Sequence, residues 1–343
     1  MKAYTQAMLT PPSVGATTLL RERLFQLIAQ TLHFRLTLIV APAGYGKTTL
    51  LADFAASTRA PVAWCRLARS DRDPVVFVDH LRAALCIPFP ALTRVRPTVG
   101  SSVDRLTSAR TRGAADPEAA QLCSDLEAAV VEELLLVLDD LHLAEIPSVQ
   151  HTLEFFLDNA PSNVHVCLLT RAQPDPSTEF TLSEAKVLRT GLSLARRRVR
   201  QELLEITASD LAFTAEETEA LFSQIYHLPL DKAALSRLVE KSQGWAAGLV
   251  LLRDALRKVP IEERVILLDR LALTEGVYEY LADEVWREQP HRVQQFLLAT
   301  AVLDPVTPPA AAVSGKALMS ASATSIMGSA SSAHSFAQPP VSG

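Results

Sequence analysis

The amino-acid sequence predicts an α/β fold, with a parallel sheet covered by helices on both faces and a helical part after it. Two observations predict this fold. Short apolar runs alternate with helix-period segments up to about residue 207, and several of these runs are apolar throughout. Beyond that residue, apolar side chains recur at three- and four-residue spacing, which is typical of helices packed on one face.

The elements are predicted in the following order. Strands are predicted over 36–40, 61–65, 134–138, 164–169 and 203–206. Helices are predicted before and between them, over 19–31, 48–56, 75–85, 118–132 and 149–159. The helical part is predicted to contain helices over 215–226, 231–240, 245–257, 262–273, 278–287 and 291–301. Residues 87–117, with their prolines and glycines, are predicted to form a long irregular excursion.

A glycine-rich loop lies between the first strand and the helix that follows it. Its residues have the small-x4-Gly-Lys-Thr spacing of a phosphate-binding P-loop: Ala41-Pro42-Ala43-Gly44-Tyr45-Gly46-Lys47-Thr48-Thr49. Gly44 and Gly46 let the backbone turn its N–H groups inward, and the positive end of the helix points at the anion. Lys47 is predicted to reach the β- and γ-phosphates of a nucleotide, and Thr48 to offer its hydroxyl to Mg²⁺. The alternative is a glycine-rich turn with an exposed lysine.

The first position of this loop is Ala41, where glycine is more usual, and a residue this small should fit.

A second motif is a buried strand that ends in two carboxylates, Asp139 and Asp140. Because parallel strands place their carboxyl ends at the ligand-binding edge, Asp139 is predicted to hold Mg²⁺ and Asp140 to polarise or position water. Alone, such a pair is more often a turn or a helix cap. The P-loop upstream favours the metal role.

A third motif is the apolar strand that ends in Thr170 and Arg171. If this strand lies between the P-loop strand and the Asp-Asp strand, Arg171 emerges beside the γ-phosphate and can sense it, because a guanidinium binds phosphate oxygens bidentately. The alternative is a solvated arginine. His142, just past the carboxylate pair, lies either near the phosphates or on the surface.

Three further features bound the function classes. The net charge of −5 and pI near 5.9 do not favour binding to nucleic acid or to an anionic membrane. The run Arg196-Arg197-Arg198 with Arg200 is interpreted as a solvated face and is assigned no site. The four cysteines form no C-x-x-C pair, and neither a leader peptide nor a membrane-length apolar run is found, which predicts a reduced, cytoplasmic chain.

Taken in order, these blocks resemble the N-terminal half of the MalT-like regulators, which are large ATP-binding LuxR-family transcription factors within the STAND ATPases. The resemblance covers about residues 10–315. Beyond the P-loop it is carried by Leu20-Arg21-Glu22-Arg23-Leu24, Pro61-Val62-Ala63-Trp64, Leu138-Asp139-Asp140-Leu141-His142, Leu169-Thr170-Arg171, Asp210-Leu211-Ala212-Phe213-Thr214, Gly244-Trp245-Ala246-Ala247-Gly248-Leu249 and Phe296-Leu297-Leu298-Ala299-Thr300-Ala301-Val302-Leu303-Asp304.

The resemblance implies an additional-strand P-loop NTPase domain over 1–207, a helical lid over 208–258 and a winged-helix-like module over 259–313. The Ala/Ser-rich residues 314–343 are predicted to be disordered, because such a tail cannot bury enough apolar surface to offset its ordering entropy. Sensor repeats and a DNA-binding helix-turn-helix, which the family would carry, find no match after Asp304. The chain is therefore expected to be a truncated form that does not bind DNA specifically by itself.

The resemblance also implies a function. In such proteins ADP holds a closed monomer, ATP with an inducer opens it to an oligomer that activates transcription, and slow ATP hydrolysis resets the switch. Carried over to this chain, the nucleotide is bound by Ala41, Gly44, Tyr45, Gly46, Lys47, Thr48 and Thr49; Mg²⁺ by Thr48 and Asp139; and the catalytic set is Asp139, Asp140 and Arg171. Two other hypotheses stay open: a self-standing P-loop ATPase or kinase, and a non-catalytic interaction fragment.

Overall fold

The computed structural model describes residues 4–13, 15, 18–94, 117–171 and 193–270. These residues belong to one compact unit, Met1–Ala272, and a second unit, Leu273–Gly343, lies outside the described part. Most of the predicted winged-helix-like module, the predicted tail and most of the irregular excursion therefore lie outside it too. The predicted boundaries at 207, 258 and 313 stay predictions.

A parallel sheet forms the centre of the described unit. Its strands are β1 (Leu36–Val40), β2 (Val62–Arg66), β3 (Leu134–Asp139), β4 (Val164–Thr170) and β5 (Leu203–Thr207). Their order across the sheet is β2-β3-β4-β1-β5, and each neighbouring pair is parallel. β4 thus lies between the P-loop strand β1 and the Asp-Asp strand β3. The predicted α/β class and the additional-strand arrangement are confirmed.

The helices of the described residues have these bounds. Around the sheet they are α1 (Gln6–Leu9), α2 (Glu22–Ala29), α3 (Lys47–Ser57), α4 (Pro74–Leu85), α5 (Pro117–Ala129), α6 (Pro147–Asn159) and α7 (Leu194–Val199). After β5 come α8 (Ala208–Leu211), α9 (Ala215–Ala220), α10 (Lys232–Ser242), α11 (Ala246–Leu256) and α12 (Arg264–Arg270). The helix predicted over 215–226 changes at Leu221 to a π-helical turn that ends at Ile225.

The side chains of the strands alternate between two apolar layers, as the two-residue period of a strand requires. On one face, Leu36, Leu38 and Leu136 pack in a layer that α4, α5 and α6 cover. On the other face, Ile39 and Val137 pack in a layer with residues of α2 and α3. β3 and β4 are buried along their whole length, which explains why their sequences are mostly apolar.

The helical lid after β5 has an apolar core of its own. Leu221, Phe222, Leu238, Leu249 and Leu256 are buried in it, and they come from the π-turn, α10 and α11. Asp231 caps α10 by accepting a hydrogen bond from the Ala234 amide at 2.7 Å. Within the residues that the structure describes, no helix is long and apolar enough to cross a membrane.

Two arginines from the start of α2 bind the connection between β5 and the lid. The Arg21 side chain is 9% exposed and donates to Glu217 at 2.6 Å, to the Leu211 carbonyl at 2.8 Å and to the Ala212 carbonyl at 2.7 Å. Its guanidinium also lies 3.9 Å from the centre of the Phe213 ring. Arg23 contacts the same connection but its side chain is 43% exposed. The start of α2 therefore holds the lid connection against the sheet.

Candidate functional site

The P-loop joins the carboxyl end of β1 to the first turn of α3. Gly44 and Gly46 have φ of 79° and 82°, in the left-handed region that glycine adopts without strain. These two residues turn the chain so that α3 begins at Lys47, with Gly46 as its N-cap. Ala41 is buried, Tyr45 packs against the apolar layer of α2 and α3, and Thr49 is exposed. The loop has the form that its sequence predicts.

The Lys47 side chain folds back across the loop that precedes it. Its ammonium donates to the carbonyls of Ala41 and Pro42, at 2.6 and 3.0 Å, and the residue is 9% exposed. Burial lowers the pKa of Lys47 to about 8, and the charge of Arg171 acts in the same direction. Asp139 and Asp140 raise it again. A largely desolvated ammonium is thus held against the start of the loop, where its attraction for an anionic ligand is weakly screened.

Asp139 lies next to Thr48, although the two residues come from distant parts of the chain. The Thr48 hydroxyl is 3.1 Å from one carboxylate oxygen of Asp139 and 3.2 Å from the other. Asp139 is 1% exposed, and burial raises the pKa of its carboxyl to about 6. The neighbouring charge of Asp140 raises it as well, whereas the bond from Thr48 lowers it. The sheet thereby brings the two predicted Mg²⁺ ligands together.

These two oxygen-bearing side chains fit a magnesium ion. Mg²⁺ prefers hard oxygen donors, and it is usually held by one or two protein groups together with substrate phosphates and water. In the described ranges, no group of three or more His, Cys, Asp or Glu side chains stands where it could hold a metal ion by itself. A hydroxyl and a carboxylate beside a phosphate-binding loop are what a nucleotide-dependent Mg²⁺ site requires.

Asp140 directly follows β3 and has a left-handed backbone, at φ 57°. This conformation turns its carboxylate away from the strand and towards the end of β2, where it meets the Arg66 Nε atom at 3.1 Å. The Asp140 side chain is 17% exposed and that of Arg66 58%, so the pair is open to solvent on one side. The sequence analysis did not single out Arg66. Its position, as a charged residue at the carboxyl end of an apolar strand, could have indicated it. In the sheet, Arg66 is the register partner of Asp139.

Arg171 and His142 lie near the same edge of the sheet. Arg171 directly follows β4, and its charge is close enough to depress the pKa values of both Lys47 and His142. The pKa of His142 is lowered to about 4, first by burial and then by Arg171. His142 is therefore a neutral imidazole near neutral pH. The structure places His142 near Lys47 of the P-loop, which favours a position close to the phosphates over one on the surface.

The run Arg196-Arg197-Arg198 was predicted to lie on a solvated face, and the structure differs from this prediction at one residue. Arg197 is 1% exposed and its guanidinium binds Asp158 at 2.6 Å. Arg196 binds the same carboxylate at 2.6 Å, and Arg198 binds Glu205 at 2.5 Å. The prediction was wrong for Arg197, because ion pairs with the acidic residues of α6 offset the cost of removing its guanidinium from water. The charges of Arg196, Arg197 and Arg198 are used in ion pairs.

The lid contacts the P-loop directly. The Trp245 indole N–H donates to the carbonyl of Ala43 at 3.0 Å, and the Ala247 amide donates to the carbonyl of Gly44 at 2.9 Å. Trp245 and Ala247 were part of the sequence blocks discussed above, but no role was predicted for them. Their partners lie about 200 residues away, so no local pattern could have identified the contact.

The chain is similar to a protein-family model and to several known proteins. Residues 17–169 match the family model described as AAA ATPase domain. The HTH-type transcriptional regulator MalT of Cronobacter sakazakii is 32% identical over 294 residues, which are 83% of this chain and 29% of the relative. MalT proteins of Serratia proteamaculans and Yersinia enterocolitica are 32% and 31% identical over the same shares. The chain thus spans less than a third of the length of these relatives.

Two solved structures are also similar. One is the ORC1 protein of Aeropyrum pernix in complex with DNA, with 18% identity, a TM-score of 0.43 and coverage of 88% of this chain and 76% of that one. The other is a Walker-type ATPase of Pyrococcus abyssi, with 15% identity, a TM-score of 0.48 and coverage of 85% and 82%. The sequence relatives, the family model and the sheet order together support a MalT-like N-terminal P-loop ATPase region in this chain.

Proposed function

We propose that the chain binds ATP and ADP and acts as a signalling switch with slow ATP hydrolysis, as the N-terminal module of a MalT-like LuxR-family activator. The observation that carries this proposal is the contact between Thr48 and Asp139 beside the P-loop. Two oxygen ligands for a nucleotide-bound cation meet there, one from the first turn of α3 and one from the end of β3. The similarity to proteins named HTH-type transcriptional regulator MalT supports a regulatory role.

The residues have distinct roles in this proposal. The loop from Ala41 to Thr49 cradles the phosphates with its backbone amides, and the Lys47 ammonium neutralises their charge. Thr48 and Asp139 hold Mg²⁺, which supplies charge neutralisation at the phosphates when it is bound. Asp140 orients the attacking water, and Arg171 senses the γ-phosphate through its guanidinium.

The wider setting is part of the proposal. We place the protein in the cytoplasm, with self-association in the ATP-bound state and no specific DNA binding by the residues of this chain. The net charge of −5 fits the last point, since DNA binding needs a basic surface.

A second candidate is a self-standing P-loop ATPase or kinase that turns over many substrate molecules. The P-loop and the Asp139–Asp140 pair are compatible with it. It differs from a switch in its rate: a kinase turns over about 1–100 times per second, and its hydrolysis responds to an acceptor. A steady-state assay of phosphate release by the purified chain, with and without added acceptors, separates the two.

The switch proposal is tested by nucleotide content and by thermal unfolding. Mass analysis of the purified protein should find ADP or ATP bound. Added Mg·ADP at about 100 times its dissociation constant should stabilise the fold by about 2.7 kcal/mol, by mass action. The proposal is contradicted if the purified protein carries no nucleotide and its melting midpoint does not change when Mg·ADP or Mg·ATP is added. Mg²⁺ alone is the control for metal effects without nucleotide.

A further inference from the structure

The lid makes its contact with the P-loop through two donors on two consecutive carbonyls. Trp245 Nε1 donates to Ala43 O at 3.0 Å, and the amide of Ala247 donates to Gly44 O at 2.9 Å. Both acceptors are main-chain atoms in the part of the loop that precedes Gly46. The contact therefore acts on the backbone of the loop and leaves its side chains alone.

A planar trans peptide has its C=O and N–H groups on opposite sides. A donor that holds the Ala43 carbonyl on the lid side consequently directs the Gly44 amide to the other side of the loop. In the same way, the bond to the Gly44 carbonyl directs the Tyr45 amide. These amides belong to the set that a P-loop offers to phosphate oxygens.

We infer that Trp245 and Ala247 are positioning residues, which hold the P-loop amides of Gly44 and Tyr45 in the orientation that binds phosphate. The inference rests on the proposed nucleotide site and adds its regulation: the affinity for the phosphate groups depends on whether the lid is docked. Because linkage is reciprocal, a bound polyphosphate favours the docked lid by the same factor. The class of ligand is set by its phosphates and not by its base.

The position of the indole is itself tightly determined. A Cβ atom at Gly248 would lie 2.7 Å from Cε3 of Trp245, so glycine leaves the space that the ring occupies. Before Trp245, the chain is fixed by the bond from the Phe213 amide to the carbonyl of Gly244, at 2.9 Å. Phe213 in turn packs under the guanidinium of Arg21. The indole N–H is thus presented to the loop by a supported turn.

The test compares Mg·ADP with magnesium pyrophosphate, which has phosphates and no base, by calorimetry on the full chain. Trp245→Phe keeps an aromatic ring and removes the N–H donor. We expect the affinity for both ligands to fall by the same factor, about fivefold, which is typical for one hydrogen bond. Tyr226→Phe is the matched control, because Tyr226 packs on Phe222 and Arg253 inside the lid, and it should leave both affinities unchanged.

Other outcomes overturn the inference. Unchanged binding of both ligands by Trp245→Phe would remove the positioning role, and a loss confined to ADP would indicate a contact with the base. If the wild-type chain binds neither ligand, the proposed function itself fails, and the two failures are thereby distinguished. Should Trp245→Phe not fold, Gly248→Ala decides the question: it displaces the indole, keeps the donor and suits a helix, and the same equal loss is expected.

Discussion

The hydroxyl of Thr48 lies 3.1 Å from a carboxylate oxygen of Asp139, although the two residues are 91 positions apart in the sequence. Thr48 is in the first turn of α3 and Asp139 is the last residue of β3. Their contact joins the P-loop to the carboxylate strand across the intervening β4. The proposed site depends on this geometry, and the following predictions test its parts.

Replacing Lys47 by alanine should abolish measurable binding of ADP and ATP. The ammonium is the cation of the P-loop. The groups that it contacts, the carbonyls of Ala41 and Pro42, carry no positive charge that could bind phosphate in its place. Isothermal calorimetry measures the effect. Lys241→Ala, which removes an exposed lysine from the end of α10, is the control and should bind as the wild type does. Unchanged ATP affinity in the Lys47 variant would show that the site assignment is wrong.

Asp140→Asn should separate binding from hydrolysis. The amide keeps the size of the side chain but cannot accept a proton from water, so ATP should still bind while its hydrolysis slows about 100-fold or more. The measurement is single-turnover phosphate release. Arg66→Gln, which removes the ion-pair partner of Asp140 and leaves the carboxylate in place, is the matched control and should retain hydrolysis. Equal rates in wild type and Asp140→Asn would exclude Asp140 as the water-orienting residue.

Arg171→Ala should weaken ATP more than ADP. A guanidinium that contacts the γ-phosphate contributes only when that phosphate is present, and a charge-assisted hydrogen bond is worth about 1.5–3 kcal/mol. The ratio of the two dissociation constants, from competition binding, is the quantity to follow. Arg200→Ala removes an exposed arginine after α7 and should leave the ratio unchanged. An equal loss for both nucleotides would point to a general electrostatic effect.

Nucleotide binding should depend on pH in two ranges. The pKa of the Asp139 carboxyl is raised to about 6, so protons compete with Mg²⁺ below that pH and the Mg²⁺-dependent affinity for ADP should rise towards neutrality. The pKa of Lys47 is lowered to about 8, so its charge, and with it the affinity, should decline above that pH. Titration calorimetry measures both limbs. Asp139→Asn should remove the acidic limb only; an unaltered acidic limb would assign it to another group.

Arg21→Ala should destabilise the protein by about 3 kcal/mol, because it leaves the largely buried Glu217 carboxylate and two carbonyls without their donor. Urea unfolding measures the free energy. Arg23→Ala is a matched control: Arg23 contacts the same carboxylate from a more exposed position, and about 1 kcal/mol or less is expected. Similar losses for both variants would contradict a special role for Arg21 at the lid connection.

Much of the fold is encoded in local sequence patterns. The apolar runs of β3 and β4 predicted strands buried on both faces, and each is one residue longer than predicted, so that Asp139 and Thr170 belong to the strands. The glycines before Lys47 predicted the P-loop turn, because a left-handed backbone at Gly44 and Gly46 is a local requirement. The pairing of Thr48 with Asp139 followed from a general rule for the carboxyl edge of parallel sheets.

Other contacts depend on how distant segments meet. Nothing near Arg197 in the sequence indicates that Asp158 of α6 will bury its guanidinium, and nothing near Trp245 indicates Ala43. Arg66 meets Asp140 because β2 and β3 are neighbours in the sheet. The sequence of a strand does not determine which strand lies beside it. Periodicity and turn chemistry report on neighbours within a few residues. The partners of side chains across the sheet, and the docking of the lid on the P-loop, arise only when the packing of all elements brings those groups within bonding distance.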